Sequence, residues 1–150
     1  ASLGYRIQIP GDQQKGYELD LSVAPVGGLQ FMFGASKIKA QALSGLLTAN
    51  VPTRQFTAFG SYTLQSGRLK GLKFGLGHIS FNERPGNSSN TYFMPAFQVW
   101  NALAGYTWGK YEVQLNVENI EDKFYADNGG NQNIEPGAMR SIRLRFTRRF

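Results

Sequence analysis

The sequence has no cysteine and a single histidine, His78, among its 150 residues. A disulfide framework and a thiolate metal site are therefore excluded, and so is a metal site built from several histidines. We accordingly predict no metal site and no cofactor. A run of 18 apolar residues is also missing, which excludes a membrane-spanning helix. Because the chain begins at Ala1, without an initiator Met or a signal-peptide pattern, we expect a mature protein or a piece of one.

Runs of one charge sign are absent as well. The sixteen Lys and Arg residues exceed the ten Asp and Glu residues, but they are scattered along the chain, so we expect no nucleic-acid partner. Glu118 and Asp122 could suggest acid-base chemistry, yet carboxylates at the end of a strand usually form salt bridges. The sequence therefore does not predict an enzyme. Asn119, Asp122 and Lys123 are expected to fix a strand-to-loop transition through local hydrogen bonds.

The abundant pattern is an alternation of apolar and polar residues, which is typical of β-strands with two different faces. Five segments alternate regularly: residues 17–23, 29–35, 55–64, 111–118 and 142–147. A sixth strand begins at Leu72, but Ile79 and Phe81 switch the parity, which suggests a bulge near Gly77. Residues 97–108 and a short opening strand, 3–9, bring the prediction to eight strands in an all-β protein.

The connections between these strands alternate in length. Residues 24–28, 65–71 and 108–110 form short turns, whereas residues 10–15, 41–52, 82–95 and 122–137 form longer loops. Residues 36–47 are interpreted as a strand end plus loop. Short turns at one end and long loops at the other are typical of an outer-membrane β-barrel, with the long loops outside the cell.

In such a barrel the apolar face contacts lipid and the polar face lines the lumen. Glu112 and Glu118 on one strand then face Arg143 and Arg145 on the next, which predicts a lumenal charge network. Aromatic residues near the short turns predict a periplasmic girdle: Tyr62, Tyr106, Trp108 and Tyr111. A soluble lipocalin-like barrel, with the apolar face inside, is the alternative from the pattern alone.

Three segments resemble the C-terminal barrel of TonB-dependent siderophore receptors. Asn50-Val-Pro-Thr-Arg-Gln-Phe56 is similar to the segment that enters a late strand. Gly75-Leu-Gly-His-Ile-Ser-Phe-Asn-Glu-Arg-Pro-Gly86, with Asn90-Thr and Pro95-Ala-Phe97 after it, resembles a Gly-x-Gly strand, an acidic-Arg-Pro-Gly loop and a return strand. Leu115-Asn-Val-Glu-Asn-Ile-Glu-Asp-Lys-Phe-Tyr125 is similar to a family signature, although Glu121 replaces the usual Phe. The terminal Phe150 resembles an assembly signal, although Arg148 departs from its pattern.

The resemblance implies an antiparallel transmembrane β-barrel of roughly 22 strands around an N-terminal plug. Residues 1–150 would supply its last eight strands, without the plug and the TonB box. The implied function is TonB-energised uptake of a ferric siderophore across the bacterial outer membrane. The implied partners are outer-membrane lipid, the plug and remaining strands, the TonB complex and the barrel-assembly machinery. A self-contained eight-stranded outer-membrane barrel with a structural or adhesive role, and a passive porin segment, remain alternatives.

Two groups of candidate residues follow. Tyr92, Phe93, Phe124 and Tyr125 lie in long loops and could hold a planar chelate, with an outer aromatic girdle as the alternative. The polar loop 128–132 could add mobility or recognition, and Arg143 and Arg145 could attract an anionic chelate. Residues in phase with the terminal Phe are predicted to form the assembly signal: Ile142, Leu144, Phe146 and Phe150.

Overall fold

The computed structural model describes residues 11–131 and 133–150, and the predicted opening strand, 3–9, lies outside them. All regular structure in these residues is β-strand. In chain order the strands are β1 Gln13–Val23, β2 Leu29–Gln41, β3 Arg54–Thr63, β4 Leu72–Phe81, β5 Arg84–Pro85, β6 Phe93–Met94, β7 Phe97–Trp108, β8 Tyr111–Glu118, β9 Ala126–Gly129, β10 Ile134–Pro136 and β11 Ser141–Arg148.

Seven of these strands form one antiparallel sheet in the order β1-β2-β3-β4-β7-β8-β11. Each long strand pairs with the next long strand along the chain, and the remaining strands form two small hairpins, β5 with β6 and β9 with β10. The predicted asymmetry of the connections is confirmed. Residues 24–28, 64–71 and 109–110 connect strands at one end, and residues 42–53, 82–96 and 119–140 connect them at the other. Within the described ranges, no helix is long and apolar enough to cross a bilayer.

Two expectations, one about the start of β1 and one about a bulge in β4, are wrong. The loop predicted at residues 10–15 extends too far, because β1 begins at Gln13. The first residues of β1 are paired in the sheet because β2 continues to Gln41, which lies opposite Gln13. The bulge predicted near Gly77 is absent, because β4 pairs without interruption with β3 and with β7. Ile79 and Phe81 both lie on the inner face, and Phe81 packs there against Phe97 and against Arg84 of the loop 82–96.

Two of the short turns depend on glycine. Gly28 adopts φ +83°, and a Cβ there would lie 2.2 Å from the carbonyl oxygen of Thr63. Gly109 adopts φ +55° at the first central position of the two-residue turn between Trp108 and Tyr111. Glycine reaches these left-handed conformations without steric cost, so the chain reverses direction tightly at both positions.

The register gives the sheet one apolar face. Directly opposite residues share a face, so Leu21, Phe33 and Ala58 lie side by side across β1, β2 and β3. At the other edge Ala104, Leu115 and Leu144 do the same across β7, β8 and β11. We call this the outer face, and much of it is exposed, including Leu19, Leu76 and Leu144. A sheet that exposes its apolar face to its surroundings is suited to a hydrocarbon environment.

Aromatic rings occupy two levels of the outer face. Near the short turns, Trp108 packs against Tyr106 and Tyr111, and Tyr111 packs against Phe146, with ring centroids 5.5 to 5.9 Å apart. Nearer the long loops, Phe33, Phe56, His78 and Trp100 form a row with centroids 4.5 to 5.6 Å apart. The first group agrees with the predicted girdle. The second group, which includes the lone histidine, was not predicted.

Candidate functional site

The three long loops pack against one another at one end of the sheet. We call residues 42–53, 82–96 and 119–140 the first, second and third long loops. Asn50 of the first loop connects all three. Its side-chain amide donates to the carbonyl oxygen of Gly129 at 2.9 Å, and its Oδ1 accepts from the Gly129 N–H at 2.8 Å. Its own N–H donates to the carbonyl oxygen of Pro85 at 2.8 Å.

Tyr92 of the second loop lies in the same contact region. Its hydroxyl lies 2.7 Å from the carbonyl oxygen of Gly130 in the third loop and 3.1 Å from that of Gly86 in its own loop. The hydroxyl donates to these oxygens and so joins the second loop to the third. A Cβ at Gly86 would lie 1.9 Å from the Tyr92 ring. The ring therefore packs directly on the Gly86 backbone, a contact that only glycine at this position permits.

Arg84 is the most deeply buried charged residue of this region, with 2% exposure. Its Nη2 donates to the carbonyl oxygens of Ala126 and Asp127 at 2.8 and 2.7 Å. Its guanidinium carbon lies 5.7 Å from the centre of the Phe81 ring and 5.2 Å from that of Phe97. Burial lowers the pKa of Arg84, while the nearby charge of Asp127 acts in the opposite direction. An arginine keeps its charge under such a shift, so Arg84 joins the second and third loops as a cation.

An apolar cluster on the inner face supports these loops. Phe81 and Phe97 meet edge to face at 5.1 Å, and Tyr125 of the third loop stacks on Phe97 at 4.3 Å. Met94 and Val99 beside them are almost fully buried. The long-loop end of the inner face is therefore packed like a small protein core, whereas Glu18 and Asp20 on the same face remain exposed.

The four candidate ligand residues divide into two pairs. Tyr92 and Tyr125 are held within the loop contacts just described, so the alternative that they form an outer aromatic girdle is wrong. Both face the loops and the inner side of the sheet, because the loops fold over that face. Phe93 is 44% exposed and Phe124 is 77% exposed, and these two rings are accessible to a ligand.

The start of the third loop is fixed as predicted. Asn119 has φ +49° and accepts from the Lys123 N–H at 2.9 Å, while its amide donates to the carbonyl oxygens of Lys123 and Ala138. Asp122 accepts from the Arg140 N–H at 2.9 Å, and its carboxylate lies 3.6 Å from the Arg140 guanidinium. The bonds between Asn119 and the backbone of Lys123 confirm the local role expected for Asn119. Asp122 instead bonds to Arg140, 18 residues further along, so it joins the two ends of the loop.

The predicted lumenal charges lie on the inner face of β8 and β11. Arg143 lies 3.9 Å from Glu118, in a pair whose side chains are about half exposed. Glu112, however, pairs with Arg149 at 3.2 Å, and not with Arg145. In the register Arg145 lies opposite Gln114, and no carboxylate of the described residues is within ion-pair distance of it. Arg149 thus takes the place of Arg145 as the partner of Glu112. The Arg149 N–H donates to the carbonyl oxygen of Lys110, which holds Arg149 beside the start of β8.

The last strand places its apolar residues on the outer face. Ile142, Leu144 and Phe146 are opposite Val117, Leu115 and Val113 of β8, and all three are exposed. Phe150 is fully exposed, and the guanidinium of Arg148 lies 5.0 Å from the centre of its ring. The described residues contain no group of three or more His, Cys, Asp or Glu side chains that could hold a metal ion.

The described strands form an antiparallel sheet with one apolar and one polar face, with short turns at one end and packed long loops at the other. This is the architecture of the wall of an outer-membrane β-barrel. The sequence model of the family described as TonB dependent receptor-like, beta-barrel matches residues 2–120. The chain belongs to this family.

Curated relatives are metal-chelate receptors by name. The chain is 26% identical over 153 aligned residues to the metal-pseudopaline receptor CntO of Pseudomonas aeruginosa, which covers 96% of this chain and 22% of the relative. It is 33% identical over 79 residues to the ferrioxamine B receptor of Salmonella typhimurium, which covers 49% of this chain and 11% of the relative. The chain therefore spans between about a tenth and a quarter of the length of these proteins.

Solved structures share the fold. The ferric yersiniabactin uptake receptor FyuA of Yersinia pestis superposes with a TM-score of 0.83 at 13% identity, over 93% of this chain and 24% of that one. The pyoverdine receptor FpvA of Pseudomonas aeruginosa superposes with a TM-score of 0.79 at 22% identity, over 93% of this chain and 22% of that one.

Proposed function

We propose that this chain forms the closing part of the barrel wall of an outer-membrane receptor for a metal chelate, with a ferric siderophore as the transported ligand. The packed cluster of three long loops is the observation that carries the proposal. The names of the curated relatives, metal-pseudopaline receptor and ferrioxamine B receptor, support a chelate as the cargo. The ligand is carried and not chemically changed.

The rest of the receptor is part of the proposal. The exposed polar inner face of β1, with Glu18 and Asp20, would face a plug, and the two edges of the described sheet would pair with the other strands of a barrel of roughly 22. Unpaired strand edges cannot remain in hydrocarbon, since each unsatisfied backbone group costs several kcal/mol there. Transport would be energised by the TonB complex acting on that plug.

A self-contained eight-stranded barrel with a structural or adhesive role is less well supported. The interior of so small a barrel is filled by its inward side chains. In the described sheet, however, Glu18, Asp20 and Ser22 of the inner face are exposed.

Phe93 and Phe124 are the rings that we propose to contact the chelate. In the full-length receptor, replacing both with alanine should weaken ferric siderophore binding by about 30-fold to 900-fold, since aromatic anchors often contribute about 1–2 kcal/mol each and the two losses add. Binding is measured by quenching of intrinsic fluorescence on purified, folded receptor. The matched control is Leu69→Ala, an exposed apolar side chain in a short turn. Equal affinity in the double variant and the control would contradict a ligand role for both rings.

Phe150 is proposed, with Ile142, Leu144 and Phe146, to be recognised by the barrel-assembly machinery. Deleting Phe150 from the full-length receptor should lower the folded amount in the outer membrane, measured by heat-modifiability on gels. Receptor that does insert should bind its ligand normally, because Phe150 lies at the short-turn end of the sheet. An unchanged folded yield would remove the assembly role, and normal yield with lost binding would place Phe150 in a ligand site.

A further inference from the structure

Four basic side chains lie together on the outer face, at its long-loop end. Lys15 pairs directly with Lys39, and Lys37 pairs directly with Arg54, in the register of β1, β2 and β3. All four have the parity of the apolar residues Tyr17, Leu19 and Phe56, so they share the outer face, and all four are exposed. We call Lys15, Lys37, Lys39 and Arg54 the basic patch.

The basic patch has no acidic partner in the described part of the chain. The three ion pairs found there all involve β8, β11 or the third long loop. Glu18 and Asp20 of β1 have the opposite parity and face inward. Asp12, three residues before Lys15, accepts a hydrogen bond from Thr48 at 3.3 Å, and Glu83, which follows the Arg54 partner Asn82, forms none of the ion pairs. Residues 1–10, which precede β1, contain no Asp or Glu.

Like charges directly opposite each other on neighbouring strands destabilise a sheet. The repulsion between these exposed cations is modest, but two such pairs side by side, with no carboxylate of the described residues in an ion pair with them, would be stabilised by an anion from outside the chain. Because the patch borders the face that contacts lipid, an anionic group at the membrane surface is the anion within reach.

A groove runs from the basic patch onto the apolar face. Its floor is Ala35, whose small side chain lies between Leu19 and Phe56 in the register, and its mouth is formed by Lys37 and Arg54 next to Tyr17. A surface that combines an apolar groove with cations at one end matches an acyl chain that ends in a phosphate group.

We propose that this surface binds a phosphate-bearing lipid of the surrounding leaflet, with its phosphate on Lys37, Arg54 and their neighbours and one acyl chain over Ala35. The inference rests on the proposed function only for which leaflet supplies the lipid, since the long loops are placed outside the cell. The binding itself can be measured without any membrane orientation.

The test uses the purified full-length receptor in detergent, with dioctanoyl phosphatidic acid as the probe and native mass spectrometry as the readout. A Lys37→Gln/Arg54→Gln variant should bind the probe about 30-fold more weakly, since each Lys or Arg near an anionic lipid contributes about 1 kcal/mol, or about fivefold. The matched control, Arg68→Gln/Lys70→Gln, removes two exposed cations of a short turn and should bind like the unaltered receptor. Ala35→Trp, which fills the groove without changing charge, should also weaken binding.

Two further probes identify what is recognised. Dioctanoylglycerol, which lacks the phosphate, and inorganic phosphate, which lacks the acyl chains, should both bind at least tenfold more weakly than phosphatidic acid. Equal binding of phosphatidic acid by the two double variants would overturn the proposal, and so would inorganic phosphate binding as tightly as the lipid. Chelate affinity measured on the same preparations should be unchanged in every variant, so a failed lipid site is distinguished from a failed receptor.

Discussion

Arg84→Met is expected to release the third long loop from the second at a cost of about 3 kcal/mol. The substitution removes the donor from the carbonyl oxygens of Ala126 and Asp127, and hydrogen bonds from a charged group contribute about 1.5–3 kcal/mol each. It also removes the cation between the Phe81 and Phe97 rings. Part of this loss is offset because a buried charge no longer has to be desolvated.

The measurement is hydrogen exchange of the backbone amides in residues 126–131 of the full-length receptor. A change of 3 kcal/mol should accelerate exchange that depends on loop opening by about a hundredfold. Arg84→Lys should lose most of the protection as well, since an ammonium on a flexible stem cannot reproduce the planar fork. Arg143→Met is the control, because its exposed pair with Glu118 contributes little. Unchanged exchange in Arg84→Met would mean that the loops are held together without this arginine.

Leu115→Arg is expected to destabilise the folded barrel by about 2–4 kcal/mol, because a cation on the lipid face near the membrane centre contacts hydrocarbon. Leu115 lies in the middle of β8, between Ala104 of β7 and Leu144 of β11. Its cross-strand neighbours there, Ala104 and Leu144, offer the introduced guanidinium no acidic partner. The free energy of unfolding is measured by reversible denaturation in lipid vesicles.

The matched control is Asn116→Arg, one residue further on and on the opposite face. Its new side chain would lie across from Arg143, but both would be in water, where repulsion between exposed charges is about 1 kcal/mol or less. Equal destabilisation by the two substitutions would show that the outer face does not contact lipid.

The strand count of the described sheet, its faces and the alternation of its loops could be predicted because each depends on local pattern. A period of two fixes which side chains share a face, and loop length is read directly from the sequence. The β4 strand shows the limit of this approach. The sequence pattern at Ile79 and Phe81 predicts a change of parity, whereas β4 keeps its parity and places both on the inner face, where Phe81 packs against Phe97 and Arg84.

The loop contacts could not be predicted, because they join residues far apart in the chain. Arg84 and its carbonyl partners are 42 and 43 residues apart, and Asn50 and Gly129 are 79 residues apart. The segment that contains Arg84 carries part of the family resemblance, but nothing in one sequence shows that its guanidinium is buried against two rings that contact each other. Tyr92 and Tyr125 were selected as amphipathic loop residues, and that chemistry suits a ligand and a loop contact equally well.

The most direct test of the proposed wall is labelling of single cysteines by a membrane-impermeant thiol reagent on intact cells that make the full-length receptor. The natural sequence has no cysteine in this span, so Ser88→Cys in the second long loop and Ser66→Cys in a short turn form a matched pair at exposed positions. Ser88→Cys should be labelled on intact cells, and Ser66→Cys should be labelled only after the outer membrane is opened. Labelling of Ser66→Cys on intact cells, with Ser88→Cys protected, would contradict this orientation of the wall.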